Sequence, residues 1–439
     1  MIRLDSQSVR SFLDDGALEA LRPRVVDAHH DVINKRGTGS DMLGWRDLLL
    51  DPDDALLEDI ESTAARIRRD ADVLLCIGIG GSYLGARAVI QALAPYFARP
   101  RSATPAEDRE GRSARPGEPP EILFAGHHTS GAYLRELMDY LEGKSVFVNV
   151  ISKSGTTLES ALAFRFVREW MEARFDDADA RIVVTTSPTG GALNTLRAQH
   201  GYKKYAIPEG VGGRFSVLTP VGLLPIAAAG VDIRSLFYGA VSACEALAAA
   251  DDNPALDYAA LRYLLLEAGY EVEVLAVFEP RLSGIGGWWQ QLFGESEGKE
   301  GTGLYPATVQ YSTDLHSLGQ YMQEGRRIVV ETFLMAEDDG GDLVIPSMDA
   351  DLDGLNAVAG KTMTDVTRSA YEGTAKAHTD GGVPNFTVWL ETIDAGSLGE
   401  LIYFFEHAVA VSGYLLGVNP FDQPGVEAYK REMYQRLGL

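Results

Sequence analysis

The chain has 439 residues, 46% of them hydrophobic and 23% charged, and carries a formal net charge of −24. That length supports two or three domains, each with its own core, and the acidic balance excludes broad nucleic-acid binding, which needs a basic face. No run of 18 or more apolar residues occurs, which excludes a membrane-spanning helix.

Residues 1–70 read as helical, with an acidic linker at 51–54. Met1 and the residues after it show no apolar targeting segment. From 73 to 206 short apolar runs alternate with helical patterns, and strands are predicted at 73–77, 122–125, 146–151, 181–185 and 203–207. Such alternation predicts a parallel sheet covered by helices on both faces. Residues 101–120 interrupt it with a polar, Pro- and Gly-rich stretch of surface-loop composition. After 212–216 comes a helical stretch and then a second alternating region, with strands at 272–278, 327–333 and 386–391 and a further short candidate at 343–346. The tail, 397–439, is mostly helical, with Leu401, Phe404, Phe405, Val409 and Leu415 as its apolar residues. The expected organisation is α/β: a helical segment 1–70, a first α/β/α domain 71–210, a second 211–396, and a helical tail 397–439 that completes the active site. Cys76 and Cys244 are the only two cysteines; they argue against a disulfide framework and for a reduced, cytoplasmic protein.

Two loops carry the chemistry. The first follows the apolar run at 73–77 and contains Gly78, Gly80, Gly81 and Ser82; the second follows 146–151 and contains Ser152, Lys153, Ser154, Gly155, Thr156 and Thr157. Each leads from a buried strand into a helix, an arrangement that aims backbone N–H groups and a helix dipole at one anion. Hydroxyls and one Lys complete a phosphate cage. A helix cap needs one hydroxyl, so four hydroxyls plus a lysine favour the phosphate reading over capping. A dinucleotide fingerprint starting at Gly78 is met at Gly80 and fails at Tyr83. A P-loop ending at Gly298 and Lys299 fails because Phe293 and Glu300 occupy its required Gly and Ser/Thr positions. Neither NAD nor ATP is supported. An acidic chain that binds an anion must gather its cations locally in a cleft.

Arg214 follows Gly212 and Gly213, a backbone suited to holding an arginine at a site. Glu295 sits just after an aromatic-rich helical stretch, where burial would raise its pKa toward base duty. His316 is expected to open a helix, whose N-terminus would lower its pKa and keep it neutral for acid–base work. None of the other histidines forms a metal-ligand cluster, so no metal is expected. Lys430 is expected roughly two turns into the last helix, after the turn formers of 417–425.

Together these segments resemble the glucose-6-phosphate isomerase (phosphoglucose isomerase) family in its shorter bacterial form, over essentially the whole chain. Two stretches are the most specific: 209–220, containing Gly212, Gly213, Arg214, Phe215 and Ser216, and 421–430, from Phe421 and Gln423 to Lys430. The resemblance implies two sugar-isomerase (SIS-type) three-layer domains. It also implies roles. Glu295 resembles the base that moves a proton between C1 and C2, and Arg214 the arginine near the developing enediolate. His316 and Lys430 match the ring-opening pair, with Glu159 the carboxylate that supports the histidine. Gly80, Gly81, Ser82, Ser152, Lys153, Ser154, Thr156 and Thr157 are placed around the phosphate; Gln291 and Gln423 line the site, and Gly213 supports Arg214. The resemblance further implies a homodimer in which His316 reaches across from the neighbouring subunit, with a sugar phosphate as ligand and no cofactor.

Two readings compete with an isomerase of glucose and fructose 6-phosphates. A non-catalytic sugar-phosphate sensor would keep the loops but has no need for Glu295, Arg214, His316 and Lys430 together. A dual isomerase would also accept mannose 6-phosphate, since preference at C2 depends on pocket shape. An aminosugar isomerase with an amidotransferase half is disfavoured, because no Cys follows Met1.

Overall fold

The computed structural model describes residues 1–97, 119–341 and 343–438. In chain order its strands are β1 (Arg3–Asp5), β2 (Val73–Ile77), β3 (Glu121–Ala125), β4 (Val146–Ile151), β5 (Ile182–Thr186), β6 (Lys203–Ala206), β7 (Val272–Val277), β8 (Tyr305–Gln310), β9 (Val329–Asp338) and β10 (Asn385–Thr392). They form two five-stranded sheets, ordered β3-β2-β4-β5-β6 and β1-β10-β9-β7-β8. Every pairing in the first sheet is parallel. In the second, only β1 runs antiparallel, against β10. Contacts divide the chain into two compact units, Met1–Thr38 with Glu245–Leu439, and Gly39–Cys244.

In the Gly39–Cys244 unit, β2 and β4 are buried along their whole length, as strands covered on both faces must be. One face packs Val73, Leu75, Ile77, Val146, Val148 and Val150 against Leu134 and Leu137 of the Gly131–Leu141 helix and Phe164, Val167 and Trp170 of the Leu158–Glu172 helix. On the other side of β2, Leu74 and Cys76 are fully buried. There the Pro220–Ala228 helix, itself buried throughout, touches β2 and carries the Asp54–Asp70 and Leu84–Leu93 helices. Residues 39–70 and 211–244 thus go with the first sheet, a division that cuts across the segments drawn from sequence.

In the other unit, one sheet face packs Val274, Phe278, Val309, Phe333 and Trp389 with Tyr371 of the Met363–Asp380 helix. The Pro254–Glu267, Ser283–Glu297 and Ala395–Leu415 helices pack on one another and on β1, β8 and β10, joined by the Ala17–Ile33 helix. The last of these helices buries almost every residue from Leu398 to Leu415, which explains its unbroken apolar run.

Three sequence expectations are corrected. The segment 1–70 is not all helical, because Arg3–Asp5 pairs with Thr387, Val388 and Trp389. Residues 343–346 form no sheet strand; Val344 makes one isolated bridge to Thr362. Tyr305–Gln310 is a strand the apolar pattern did not reveal, since it lies at the sheet edge, is mostly half-exposed and contains Pro306, which only an edge tolerates. The polar stretch 101–120 lies, but for its last two residues, outside the described residues. Among the described residues no helix is long and apolar enough to cross a membrane.

Candidate active site

β2 and β4 are parallel neighbours, with Ile77 opposite Val150, so the loops that follow them emerge side by side. In the first loop the Gly78 N–H donates to the Ala125 carbonyl at 3.0 Å. Gly80 takes a left-handed φ of 59° and begins the tight turn Gly80–Ser82, which feeds the Leu84–Leu93 helix. A side chain at Gly81 is impossible as built: its Cβ would lie 1.9 Å from the Gly213 carbonyl oxygen and 2.7 Å from the Arg214 nitrogen. The first loop and the arginine-bearing loop therefore touch backbone to backbone.

In the second loop the hydroxyls are organised. Ser152 is buried and its Oγ accepts from the Gly155 N–H at 3.0 Å. Ser154 Oγ accepts from both the Thr156 N–H (3.1 Å) and the Thr156 hydroxyl (2.9 Å). A hydroxyl that accepts retains its own O–H to donate, so this bracing leaves Ser152 and Ser154 each with a donor for an anion. Thr157 precedes the Leu158–Glu172 helix, yet its side chain does not cap it. Gly155, at φ 76°, sits where a Cβ would lie 2.6 Å from the Leu193 nitrogen. Lys153, Ser154 and Thr156 are exposed, while Glu159 is half-buried in the first helical turn.

Arg214 lies in the turn Gly213–Phe215, is only 2% exposed, and has its guanidinium 5.5 Å from the Phe215 ring centroid. Phe215 in turn stacks on Trp45 at 5.4 Å. The Gly44 N–H donates to the Gly210 carbonyl at 3.0 Å, so residues 39–50 clamp the loop that presents the arginine. A charge this deeply buried is held for a reason other than solubility.

The remaining candidates belong to the other unit. Glu295 is half-buried within the last turn of the Ser283–Glu297 helix, whereas the sequence reading put it just beyond. Gln291, one turn earlier, donates from Nε2 to Glu295 Oε1 at 3.1 Å, and its own Oε1 is buried with no partner among the described residues. Trp288, Trp289, Leu292 and Phe293 of the same helix are all buried and anchor it. His316 is exposed and does not open an α-helix; it closes the short 3-10 turn Thr313–His316. The helix start expected at His316 is therefore corrected; the next α-helix begins at Gly319. Asp314 pins that turn, accepting from the Gln310 N–H at 2.7 Å and from the Ser317 hydroxyl at 3.0 Å.

Gln423 is exposed in the segment before the Val426–Leu437 helix, and Lys430 is half-buried in that helix's second turn. Lys430 donates to Glu427 Oε1 at 2.8 Å, and this hydrogen bond raises its pKa above the ordinary lysine value. Sequence reasoning gave Lys299 no role. It is 9% exposed, donates to the Asn419 carbonyl and pairs with Asp422 Oδ1 at 2.9 Å. It thereby ties the segment just after Glu295's helix to the one just before Gln423. The signal was a lone lysine directly after an apolar helix and Gly298, read there only against the P-loop pattern.

A model of the family described as phosphoglucose isomerase matches residues 55–436 of the chain. Glucose-6-phosphate isomerases from Shouchella clausii (strain KSM-K16) and Clostridioides difficile (strain 630) are 49% and 47% identical to it over 441 aligned residues. Each alignment covers 100% of this chain, with 95% and 96% of the respective relative. Among solved structures, a hypothetical protein from Thermus thermophilus has a TM-score of 0.86 at 30% identity, covering 100% of both chains. A glucose-6-phosphate isomerase from Chlamydia trachomatis has a TM-score of 0.79 at 20% identity, covering 97% of this chain and 86% of that one, and speaks to the fold alone.

The backbone contact at Gly81 gives a direct prediction. Millimolar inorganic phosphate is expected to raise the melting temperature of the wild-type protein by binding the folded state. Gly81→Ala, which pushes the first loop off Gly213 and Arg214, is expected to cost about 1–3 kcal/mol of stability, as overpacking does, and to remove the phosphate-induced rise. A Gly81→Ala protein that keeps the full rise would show that this contact does not shape the anion site.

Proposed function

Because this chain belongs to the phosphoglucose isomerase family, we propose that it interconverts glucose 6-phosphate and fructose 6-phosphate by ring opening and a cis-enediolate. The observation that carries this reading is 49% identity across 100% of the chain to a relative named glucose-6-phosphate isomerase. The site residues then supply the chemistry. Ser82, Ser152, Lys153, Ser154, Thr156 and Thr157, with the loop amides around Gly80 and Gly81, hold the phosphate. That binding, remote from the reacting carbons, fixes the sugar chain in place. His316 and Lys430 open the ring, one accepting the proton of the C1 hydroxyl and the other donating to the ring oxygen.

Glu295 then takes the proton from C2 of the aldose. The C–H electron pair becomes the C1–C2 double bond, and the former carbonyl oxygen takes up negative charge. Arg214, always cationic and planar, stabilises that charge as it develops. Glu295 returns the proton to C1, the C1–C2 double-bond pair forming the new C1–H bond, while the C2 hydroxyl proton passes to the O1 oxyanion and C2 becomes the carbonyl of the ketose. Gln291 supports this role twice: its Nε2 holds Glu295 Oε1, and its unpartnered buried Oε1 suits a sugar hydroxyl. Gln423 lines the site, Glu159 supports the histidine, and Gly213 lets the backbone reach close. Free hexose phosphates occupy the cytoplasm, which is the compartment this reading assigns.

The same reading includes a homodimer in which His316 serves the partner's site. Its support here is that His316 is exposed and flanked by Leu318 and Tyr321, which are 45% and 46% exposed.

Three outcomes test the proposal. In a coupled assay the protein should convert fructose 6-phosphate to glucose 6-phosphate, and Glu295→Gln should lose several orders of magnitude in kcat with little change in KM. Wild-type turnover by Glu295→Gln would remove it as the base. Glu427→Gln, which takes away the carboxylate that raises Lys430, should move the alkaline limb of kcat/KM to lower pH; an unmoved limb would disconnect Lys430 from the rate. Finally, Glu295→Gln and His316→Gln, each inactive alone, should regain about a quarter of wild-type activity when their subunits are randomly mixed, since half the dimers then carry one intact site. Mixtures that stay inactive would place His316 within its own subunit's site or outside the chemistry.

A further inference from the structure

A buried ion cluster grips the end of the helix that carries Glu295. Arg262 of the Pro254–Glu267 helix and Glu297 of the Ser283–Glu297 helix are each 1% exposed, and Glu273 of β7 is 0% exposed. Arg262 forks onto Glu297, donating from Nη1 to Oε1 and, at 2.9 Å, from Nη2 to Oε2. Its Nε donates to Glu273 Oε2 at 2.5 Å, and Nη1 also reaches Ser412 Oγ at 3.1 Å. The other Glu273 oxygen accepts from the Tyr258 hydroxyl at 2.7 Å and from the Thr332 hydroxyl at 2.6 Å. The guanidinium lies 4.2 Å from the Phe293 ring centroid. Residues of β7 and three helices thus meet at Arg262, with Thr332 of β9 bracing Glu273.

Such a cluster is poorly explained as a source of stability. Two buried carboxylates against one cation carry a desolvation cost that apolar packing of the same volume avoids. What a planar two-pronged fork supplies is a single orientation. Glu297 is two residues beyond Glu295, so their side chains lie about 200° apart around the helix axis. Locking Glu297 inward turns Glu295 away from the core. The last turn of a helix is where backbone partners run out and fraying begins, so this is the turn that most needs such a lock.

We propose that Arg262 is a positioning residue for the isomerisation: its fork to Glu297 fixes the rotation and depth of the final helical turn, and so places the Glu295 carboxylate against the substrate carbon. The proposal rests on reading Glu295 as the base. Arg262 touches no substrate and acts only through that turn.

The test uses the full-length enzyme with Arg262→Lys, Arg262→Met, Glu297→Gln and Glu295→Gln, assayed with fructose 6-phosphate well below each variant's melting temperature. Arg262→Lys keeps the charge but not the fork, and Glu297→Gln keeps the volume, so these two guard against an Arg262→Met protein that does not fold. Each folded Arg262 or Glu297 variant is expected to lose about 10- to 100-fold in kcat, the scale of a displacement near 1 Å, with KM changed by less than about twofold, whereas Glu295→Gln loses far more. Because Arg262 acts through Glu295, Arg262→Lys placed in the Glu295→Gln background should cause no further loss. Wild-type kcat in folded Arg262→Lys or Glu297→Gln overturns the proposal. So does a further full loss in the double variant, which would show an effect independent of Glu295. An active Glu295→Gln would overturn the base assignment itself, and the positioning role with it. An inactive Glu295→Gln beside unimpaired Arg262 and Glu297 variants would overturn the positioning role alone.

Discussion

The parallel pairing of β2 with β4 is the constraint on which the proposed anion site depends. In the order β3-β2-β4-β5-β6 the chain leaves β2 toward β3 on one side and resumes with β4 on the other. That reversal opens a crevice beyond the carboxyl ends of the two strands, where α/β sheets bind ligands. Gly80, Gly81 and Ser82 emerge on one side of it and Ser152 to Thr157 on the other. Neither loop alone encloses an anion. The ladder from Val73 opposite Val146 to Ile77 opposite Val150 holds them side by side, as the two walls of the proposed cradle. The demand for close approach explains why Gly81 has no room for even one carbon.

The second sheet repeats this topology. Its order β8-β7-β9-β10 matches β3-β2-β4-β5 strand for strand, with β1 added antiparallel at the outer edge. Beyond β7 the chain differs from the loop after β2: β7 leads through Phe278 into Glu279 and Pro280. Burial raises the Glu279 carboxyl above the ordinary range, and an acidic residue there is the wrong chemistry for a phosphate. The residues proposed for the chemistry in this unit, Glu295, His316 and Lys430, lie instead on the Ser283–Glu297 helix, the turn after β8 and the last helix.

What could be read from the sequence follows from where the determining forces lie. The strands 73–77 and 146–151 are legible because a doubly covered parallel strand must be an unbroken apolar run. β1 is illegible because three residues, Arg3 to Asp5, owe their extended form to the β10 edge and to nothing in themselves. The unit boundary near 244 is hidden for a similar reason: the Pro220–Ala228 helix shows only that it is apolar all round, and its attachment to β2 is a long-range choice. In the site, glycines and hydroxyls announce the loops, since few other sequences satisfy such backbone geometry. Arg262 stays silent, although an arginine amid the alanines and leucines of Pro254–Glu267 was a visible anomaly. Its partners Glu273 and Glu297 look like ordinary solvated acids until the fold brings all three together. His316 shows the opposite failure, where a helix start was inferred and the chain instead makes a single pinned turn.

The net charge of −24 sets a last condition on an enzyme for anionic sugars. At physiological ionic strength exposed charges are screened over about 8 Å, so acids spread over a surface of this size contribute weakly at any one point. A buried charge is screened far less. Arg214, 2% exposed, therefore counts for more at the site than many exposed carboxylates count against it. The loop amides add partial positive charge that no salt displaces, because they are part of the backbone. Of the cationic groups proposed for the site, Arg214 is the one set where water and ions reach it least, while Lys153 is exposed.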